Sequence, residues 1–156
     1  MRKILFRGKR IDKGEWVYGY LAVYTDGSCY ITTKIERNIT RYVKGKPFYI
    51  ISCMEYEVDP RTVGQYTGLM DRNGVEIFEG DICRAAVYKD PITLRKSTMI
   101  NSLVVFRNGE FTLDGHKRLP GGFRTLPTLH GCEVIGNIHD NPEHLEVLEN
   151  DCMPKM

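Results

Sequence analysis

Two tight turns lie close together in the middle of the chain, within the segment VGQYTGLMDRNGVEIFEGDICR at 63–84. An Asp side chain accepts backbone N–H groups two residues on, and Asn-Gly supplies the positive φ of a tight hairpin. Strand-forming residues flank both turns, and the interval between the turns is too short for a helix of ordinary length. This segment therefore predicts β hairpins, with turn residues Asp71, Asn73, Gly74, Gly80 and Asp81.

The same alternation of strand formers and turn residues extends over the rest of the chain. Asn108 and Gly109 predict a further two-residue hairpin. Strands are predicted at 3–7, 15–24, 28–33, 48–52, 55–58, 82–88, 100–106, 111–113 and 131–138. The stretch 35–43 fits either a helix or an extended segment, with the extended form favoured. Loops are predicted at 89–99 and 116–127, and a short C-terminal helix from Asn141 to 148.

These elements predict a mainly β fold, on the borderline with α+β. An N-terminal antiparallel hairpin lobe is expected at 1–61. The segment 62–156 is expected to form a small SH3-like barrel with the short C-terminal helix, because its strands follow one another in the hairpin-rich order of such barrels. A chain of 156 residues is long enough to bury its core without disulfides or metals, so the two parts are expected to form one compact unit.

Composition excludes several classes of protein. The apolar runs are far shorter than the ~20 residues of a membrane helix, and residues 1–7 lack the apolar core of a secretory signal. The five cysteines are odd in number and scattered, which favours reduced thiols in the cytoplasm. We therefore expect a cytoplasmic protein with no membrane partner.

The formal net charge of +2 hides a strong asymmetry. Residues 1–46 hold 11 Lys/Arg and 4 Asp/Glu, a net charge of +7, and the remainder holds 11 and 16, a net charge of −5. Opposite charges of this kind can cancel within one molecule, attract a nucleic acid to one side or promote head-to-tail self-association.

The sequence predicts no catalytic residue, cofactor or metal site. It contains no phosphate-binding glycine loop and no nucleophile motif. The start of a calcium loop at Asp71 fails, because Val75, Glu76 and Ile82 stand where an oxygen ligand, glycine and glutamate are needed. The alternative of an enzyme rests on whether His116, His130 and His139 converge on one pocket.

The strand at 15–24, EWVYGYLAVY, is apolar on both sides. Alternation places Trp16, Tyr18 and Tyr20 on one side and Val17 and Leu21 on the other, so cover is expected on both. An aromatic strand face is typical of a core or a subunit interface. Beside basic residues it also resembles a binding surface for single-stranded nucleic acid. That alternative would use Arg7, Lys9, Arg10, Arg41, Lys44 and Lys46.

The order of motifs resembles the YopX-like proteins of phages and prophages. The matching segments are ILFRGKRIDKGEWVYGY at 4–20, TVGQYTGLMDRNGVEIFEGDIC at 62–83 and GCEVIGNIHDNPEHL at 131–145. The resemblance implies the cytoplasm of a bacterial host and a mainly β structure with a small barrel. It supplies no catalytic residues.

The functional hypothesis is accordingly a non-enzymatic phage accessory protein that binds a protein partner or itself. The long aromatic strand and the opposite charges of the two halves predict a homo-oligomer. A nucleic acid is the alternative partner, and an enzyme with a histidine-containing site is the second alternative.

Overall fold

The computed structural model describes residues 3–88, 97–114, 123–125 and 131–144. Eleven strands and one 3-10 turn make up its secondary structure, and the strands pair in antiparallel fashion. The predicted mainly β fold is confirmed. The chain divides into two compact units, Met1–Gln65 and Tyr66–Met156. The division after residue 61 stays a prediction.

The first unit is an antiparallel sheet. Its strands β1 to β4 are Phe6–Lys9, Trp16–Val23, Cys29–Val43 and Lys46–Val58. They are arranged in the order β4-β3-β2-β1, and the start of β5 (Gly64–Met70) pairs with β1 through Gly64 and Gln65. A 3-10 turn, Pro60–Thr62, lies between β4 and β5 and is capped by the side chain of Asp59. The first strand begins later than predicted and continues through Lys9.

One face of this sheet carries the core of the first unit. Directly paired residues of neighbouring strands point to the same face, and successive residues alternate. The buried side chains of Cys29, Ile31 and Val58 pack together with four partly buried residues, Phe6, Val17, Leu21 and Val63. We call this the inner face and the opposite one the outer face.

The β3–β4 hairpin is longer than the sequence indicated. The stretch 35–43 is part of β3, and the predicted strands 48–52 and 55–58 are one continuous strand, so the predicted break between them is wrong. Cross-strand pairing from Cys29↔Val58 to Val43↔Lys46 accounts for the continuity, with bulges near Thr33 and Thr40. Lys44 and Gly45 form the turn at positive φ, and Lys46 begins β4.

The second unit contains the remainder of β5 and six further strands. These are β6 (Glu76–Phe78), β7 (Asp81–Tyr88), β8 (Ser97–Arg107), β9 (Glu110–Asp114), β10 (Phe123–Thr125) and β11 (Glu133–Asn137). β5 pairs with β6, and the others form a sheet in the order β10-β9-β8-β7-β11. The buried core comprises Ile77, Cys83, Ala85, Val104, Leu113 and Cys132. The SH3-like barrel stays a prediction.

The turns of the second unit are closed by carboxylates and glycines. Asp71 Oδ1 accepts hydrogen bonds from the backbone N–H groups of Asn73 and Val75. Asp81 is buried and accepts from the N–H of Phe78 across the turn at Gly80. The β8–β9 turn has Asn108 and Gly109 at positive φ. Each of these turns therefore contains either a carboxylate that accepts backbone N–H groups or residues that adopt positive φ.

Parts of both predicted loops are strand, which corrects the prediction. β8 begins at Ser97, opposite Tyr88, so 97–99 extends a hairpin instead of a loop. β10 lies within 116–127 and pairs with β9. The other residues of these two loops lie outside the described residues. The short helix is not confirmed: a hydrogen bond from His144 N to Asn141 O begins a turn, and residues 145–148 lie outside the described part.

Candidate functional site

The outer face of the N-terminal sheet carries the aromatic side chains of β2. Lys9 pairs with Trp16, Arg7 with Tyr18, and Tyr20 with Thr32, so these six side chains share a face. The inner-face neighbours of β2 pack into the core. The aromatic side chains are therefore fixed on a sheet that the core supports from behind.

The outer face is open at its centre. The side chains of Tyr18 and Tyr20 are 48% and 59% exposed. The described residues of this chain leave the outer side of β2 open at these two residues, so the predicted cover on that side stays a prediction for a partner. Hydrophobic alternation assigns residues to faces, but whether a second layer covers a face depends on the packing of distant segments.

Trp16 and its basic neighbours form a compact cluster. The Arg7 guanidinium lies over the Trp16 ring at 4.8 Å from the centroid, and Lys9 Nζ lies 5.5 Å from it. Arg7 is only 6% exposed. A guanidinium stacked on an aromatic face contributes attraction and apolar contact at once. Arg7 therefore has a structural role in holding β1 against β2.

Arg10 is engaged within the first unit as well. Its guanidinium donates to both carboxylate oxygens of Asp12, at 2.8 and 2.6 Å, and lies 3.7 Å from a Glu15 oxygen. It also lies over the Tyr56 ring at 4.2 Å. The hydrogen bond to Asp12 raises the pKa of Arg10 and lowers the pKa of Asp12. The charge of Arg10 is thus balanced by its own neighbours.

The other basic candidates lie far along the β3–β4 hairpin. Lys44 and Lys46 are exposed at its turn. Arg41 is in β3, and its side chain is outside the described structure. The predicted contributors therefore fall into two separate parts of the first unit: five near β1 (Arg7, Lys9, Arg10, Trp16 and Tyr18) and three near the hairpin turn (Arg41, Lys44 and Lys46).

An apolar strip continues the outer face along the hairpin. Both bulges insert their extra residue in β3, so β4 alternates without interruption, and Ile51 and Cys53 stay on the same face as Glu55 and Glu57. Their partners include Ile35, and Tyr42 lies beyond the second bulge. Ile35, Tyr42 and Ile51 are 57%, 67% and 69% exposed. Sequence reasoning missed this strip, because 35–43 had no assigned strand alternation.

The histidine-based enzyme alternative stays a hypothesis, because only one of its three side chains lies in the described part of the chain. The backbone N–H of His139 donates to Asn137 Oδ1 at 2.9 Å, which places His139 in the turn after β11. His116 and His130 lie outside the described residues. Within the described ranges, no group of three or more His, Cys, Asp or Glu side chains could hold a metal ion. In the same ranges, no helix has the length and apolarity to span a membrane.

Arg7→Ala is expected to lower the free energy of unfolding by about 2 kcal/mol, because it removes a buried guanidinium and its stacking contact. Trp16 is the single tryptophan, so its fluorescence spectrum reports the same change. Denaturant unfolding followed by this signal measures the loss. Tyr18→Ala is the control, because its exposed side chain should change stability by less than about 0.5 kcal/mol. Equal effects of the two variants would contradict a structural role for Arg7.

The fold and this surface define a class: a mainly β protein of two compact units, with an aromatic sheet face open in the first. The chain belongs to the YopX protein family, whose model matches residues 5–146. A solved structure, that of protein EF1440 from Enterococcus faecalis, is similar, with 27% sequence identity and a TM-score of 0.60. The similarity covers 93% of this chain and 99% of that one. No curated protein matches the chain.

Proposed function

We propose that this protein is a non-enzymatic protein-binding module whose binding surface is the outer face of its N-terminal sheet. The observation that carries the proposal is the exposure of Tyr18 and Tyr20 on a sheet whose other face is packed. Contiguous exposed apolar surface with polar residues around it is typical of a protein interface.

The chemistry of this face suits a protein partner. Tyrosine, tryptophan and arginine dominate the energetically important residues of interfaces, since they combine apolar area with a polar group. The side chains of Tyr18 and Tyr20 stand on paired strands, so binding orders little additional backbone. A partner that covers both rings would therefore gain affinity at a low entropic cost.

A nucleic acid fits the same face less well. Single-strand binders combine aromatic rings with basic groups that reach the phosphates. Here Arg10 is paired with Asp12, and Arg7 is buried beside Trp16. Glu55 and Glu57 lie on the same face and would repel phosphate. These charges favour a protein over a nucleic acid.

The proposed setting is that of a phage or prophage accessory protein in the cytoplasm of a bacterial host. Membership of the YopX family supports it. The hairpin order of the second unit, from β7 through β9 to β11, supports the SH3-like barrel as its architecture.

Affinity capture from a phage-carrying host tests the proposed function. The tagged wild-type chain is expected to retain a defined protein, either another chain or a second copy. Tyr18→Ala with Tyr20→Ala is expected to reduce that retention at least tenfold, because it removes the two exposed rings. Quantitative mass spectrometry of the eluates gives the ratio.

Ile11→Ala is the matched control, since Ile11 is comparably exposed but lies in the β1–β2 turn. It should retain the partner at the wild-type level. The proposal fails if the double tyrosine variant also retains it at that level, or if the wild type retains no protein.

A further inference from the structure

One edge of the N-terminal sheet is open along most of its length. β4 is the last strand of this sheet, and its other side pairs with β3 over its whole length. Near the end of β4, the β1–β2 turn covers the open edge, because Ile11 N donates to Glu57 O at 3.1 Å. Between this bond and the β3–β4 turn, no other strand of the described residues pairs with β4.

The bond from Ile11 shows which backbone groups of β4 point outward. In an antiparallel strand, the N–H and C=O of one residue point to the same side, and successive residues alternate. Glu57 O points away from β3, so the backbone groups of Cys53 and Ile51 do too. Both bulges insert their extra residue in β3, so this alternation is uninterrupted in β4. Pro47 also stands at an outward position, where its missing N–H costs no bond to β3.

The open edge of β4 lacks the features that protect exposed strands. Proteins blunt such edges with bulges, prolines and charged residues. β3, the other strand of the hairpin, carries two bulges and four charged residues. β4 has no bulge, and its segment FYIISCM at 48–54 contains neither a charge nor a proline. An uncharged segment rich in strand formers on an open edge is a template for another strand.

We propose that this other strand is β4 of a second copy of the chain, paired antiparallel about a two-fold axis normal to the sheet. The axis passes beside Ser52, so Ile51 of each copy lies opposite Cys53 of the other. Both residues point their backbone groups outward, so each such pair exchanges N–H···O bonds in both directions. Main-chain bonds of this kind supply the affinity when a strand is added to an open edge. One sheet then runs through the hairpins of both copies.

The limits of the open edge select a second copy and fix the register. Pro47 ends the row of donors on one side, and Glu57, whose carbonyl accepts from Ile11, ends it on the other. Ser52 is the midpoint between these two residues. The edge therefore matches its own antiparallel copy, with both ends of the row stopped at corresponding places. Two-fold association of one surface with itself is also the commonest symmetry of homo-oligomers.

The side chains are compatible with this register. Ile51 is 69% exposed and Cys53 is exposed, so each gains apolar cover from the residue opposite. The paired segments are uncharged, and Glu55 lies opposite uncharged residues. Because the axis is normal to the sheet, the outer faces of both copies point the same way. The dimer thus presents the proposed binding face twice, although the pairing itself uses the strand edge and not that face.

Cysteine cross-linking tests the register. Ser52 is exposed, and its backbone groups point to β3, so it would face its counterpart in a non-hydrogen-bonded pair with about 4.5 Å between Cα atoms. That separation suits a disulfide. Ser52→Cys is therefore expected to form a covalent dimer when oxidised glutathione takes up the electrons of the two thiols. Non-reducing electrophoresis measures its yield, and dithiothreitol should reverse it.

Glu36→Cys is the matched control. Glu36 is exposed and pairs with Ser52, so its thiol would lie on the same face of the hairpin. With both β4 strands between them, the two Glu36 positions are about 14 Å apart. This variant should form at least tenfold less covalent dimer than Ser52→Cys. Both variants also carry Cys53→Ser and Cys152→Ser, and the other three cysteines are buried.

The same dimer should form without a disulfide. Sedimentation velocity over a concentration series is expected to show the wild type reaching twice the chain mass. Ile51→Pro removes an outward donor but no bond to β3, so it should raise the dissociation constant at least tenfold. Ile51→Val keeps the N–H and should dimerise like the wild type. Circular dichroism checks that each variant is folded.

Equal covalent yields from Ser52→Cys and Glu36→Cys would overturn the inference, as would a wild-type mass of one chain at every concentration. A mass that grows beyond two chains would also overturn it, because two-fold pairing closes on itself. A monomeric wild type that retains another protein through Tyr18 and Tyr20 would leave the proposed function standing. A dimer that retains no other protein, and that persists when both tyrosines are replaced by alanine, would leave only this inference standing.

Discussion

Gly19→Ala is expected to destabilise the N-terminal sheet by about 3 kcal/mol or more, because a Cβ at this position would overlap backbone. The added atom would overlap the carbonyl oxygen of Thr32 and would lie 2.7 Å from its carbonyl carbon. Side chains can rotate away from an overpacked site, but this obstacle is the main chain of β3. Strand separation is the remaining way to relieve the overlap.

The neighbouring strands prevent that relief. Gly19 pairs with Phe6 of β1, and the next residue, Tyr20, pairs with Thr32 of β3. A shift of β2 away from β3 would therefore press it onto β1 and disturb the core at Ile31, whose Cγ2 lies 3.1 Å from the added atom. Thermal unfolding monitored by Trp16 fluorescence should show a Tm lower by roughly 10 °C.

Gly27→Ala is the control that distinguishes steric crowding from backbone strain, because it introduces only the strain. Gly27 has a φ of +87°, and nothing lies within 4 Å of an added Cβ there. This variant should lose only about 1 kcal/mol, the cost of a left-handed conformation. If Gly19→Ala were no more destabilising than Gly27→Ala, the close approach of β2 and β3 would be refuted.

The aromatic strand shows what local pattern can and cannot determine. Alternation assigned Tyr18 and Tyr20 to one face, and the observed register places them together. The same pattern predicted cover on both faces, and the outer face is open. An apolar side chain indicates that burial at its position is favourable. It does not indicate whether the covering residues belong to its own chain or to another.

The β3–β4 hairpin shows a second limit of sequence-based prediction. Lys44-Gly45 was readable as a turn, because glycine adopts positive φ easily. The continuity of β4 through Cys53 and Met54 was not readable, because these residues have no strong local preference for a strand. Their pairing with Ile35 and Lys34 extends the hairpin. The cooperative pairing of β3 with β4 thus determines the length of both strands. It also determines where the apolar strip lies.

The sequence identified Asp71 as a turn residue, but it did not predict the hydrogen bond between Asp71 and a distant strand. Oδ1 accepts from Asn73 N at 2.7 Å and Val75 N at 2.9 Å, both within the turn. Oδ2 accepts from Val134 N at 3.0 Å, which belongs to β11. No local pattern relates residues 63 positions apart in sequence. This single carboxylate joins the central hairpin to the last strand.

Asp71→Ala is therefore expected to lower the free energy of unfolding by about 3–5 kcal/mol. The carboxylate is 7% exposed, and its loss leaves three backbone donors without their charged acceptor. Charge-assisted bonds are about twice as strong as neutral ones, and buried unsatisfied donors add their own penalty. Urea unfolding measures the difference from the wild type.

Two further variants isolate the cause. Asp26 makes a similar local bond to Ser28 N, but in an exposed turn without a distant partner, so Asp26→Ala should have a much smaller effect. The loss of stability for Asp71→Asn should lie between those for Asp26→Ala and Asp71→Ala. The amide keeps one oxygen that can accept a hydrogen bond, but its NH₂ group replaces the other oxygen and faces a backbone donor. Equal losses for Asp26→Ala and Asp71→Ala would refute a special role for Asp71.

The same carboxylate should make stability depend on pH in the acid range. Burial by itself raises the pKa of Asp71, but hydrogen bonds from Val134, Val75 and Asn73 oppose it, and the net pKa lies below the ordinary 3.8. The folded chain therefore releases this proton more readily than the unfolded chain, so ionised Asp71 stabilises the fold fully above its ordinary pKa. That contribution is lost as pH falls through the lower, folded value.

The stability difference between wild type and Asp71→Ala should accordingly shrink on acidification below about pH 4. Asp12 and Asp26 also have lowered pKa values, because of hydrogen bonds from Arg10 and Ser28 respectively. They are present in both proteins and cancel in the difference. Urea unfolding at pH 7 and at a series of values below 4 provides the comparison. A difference that stays constant over this range would show that Asp71 does not act through its ionised form.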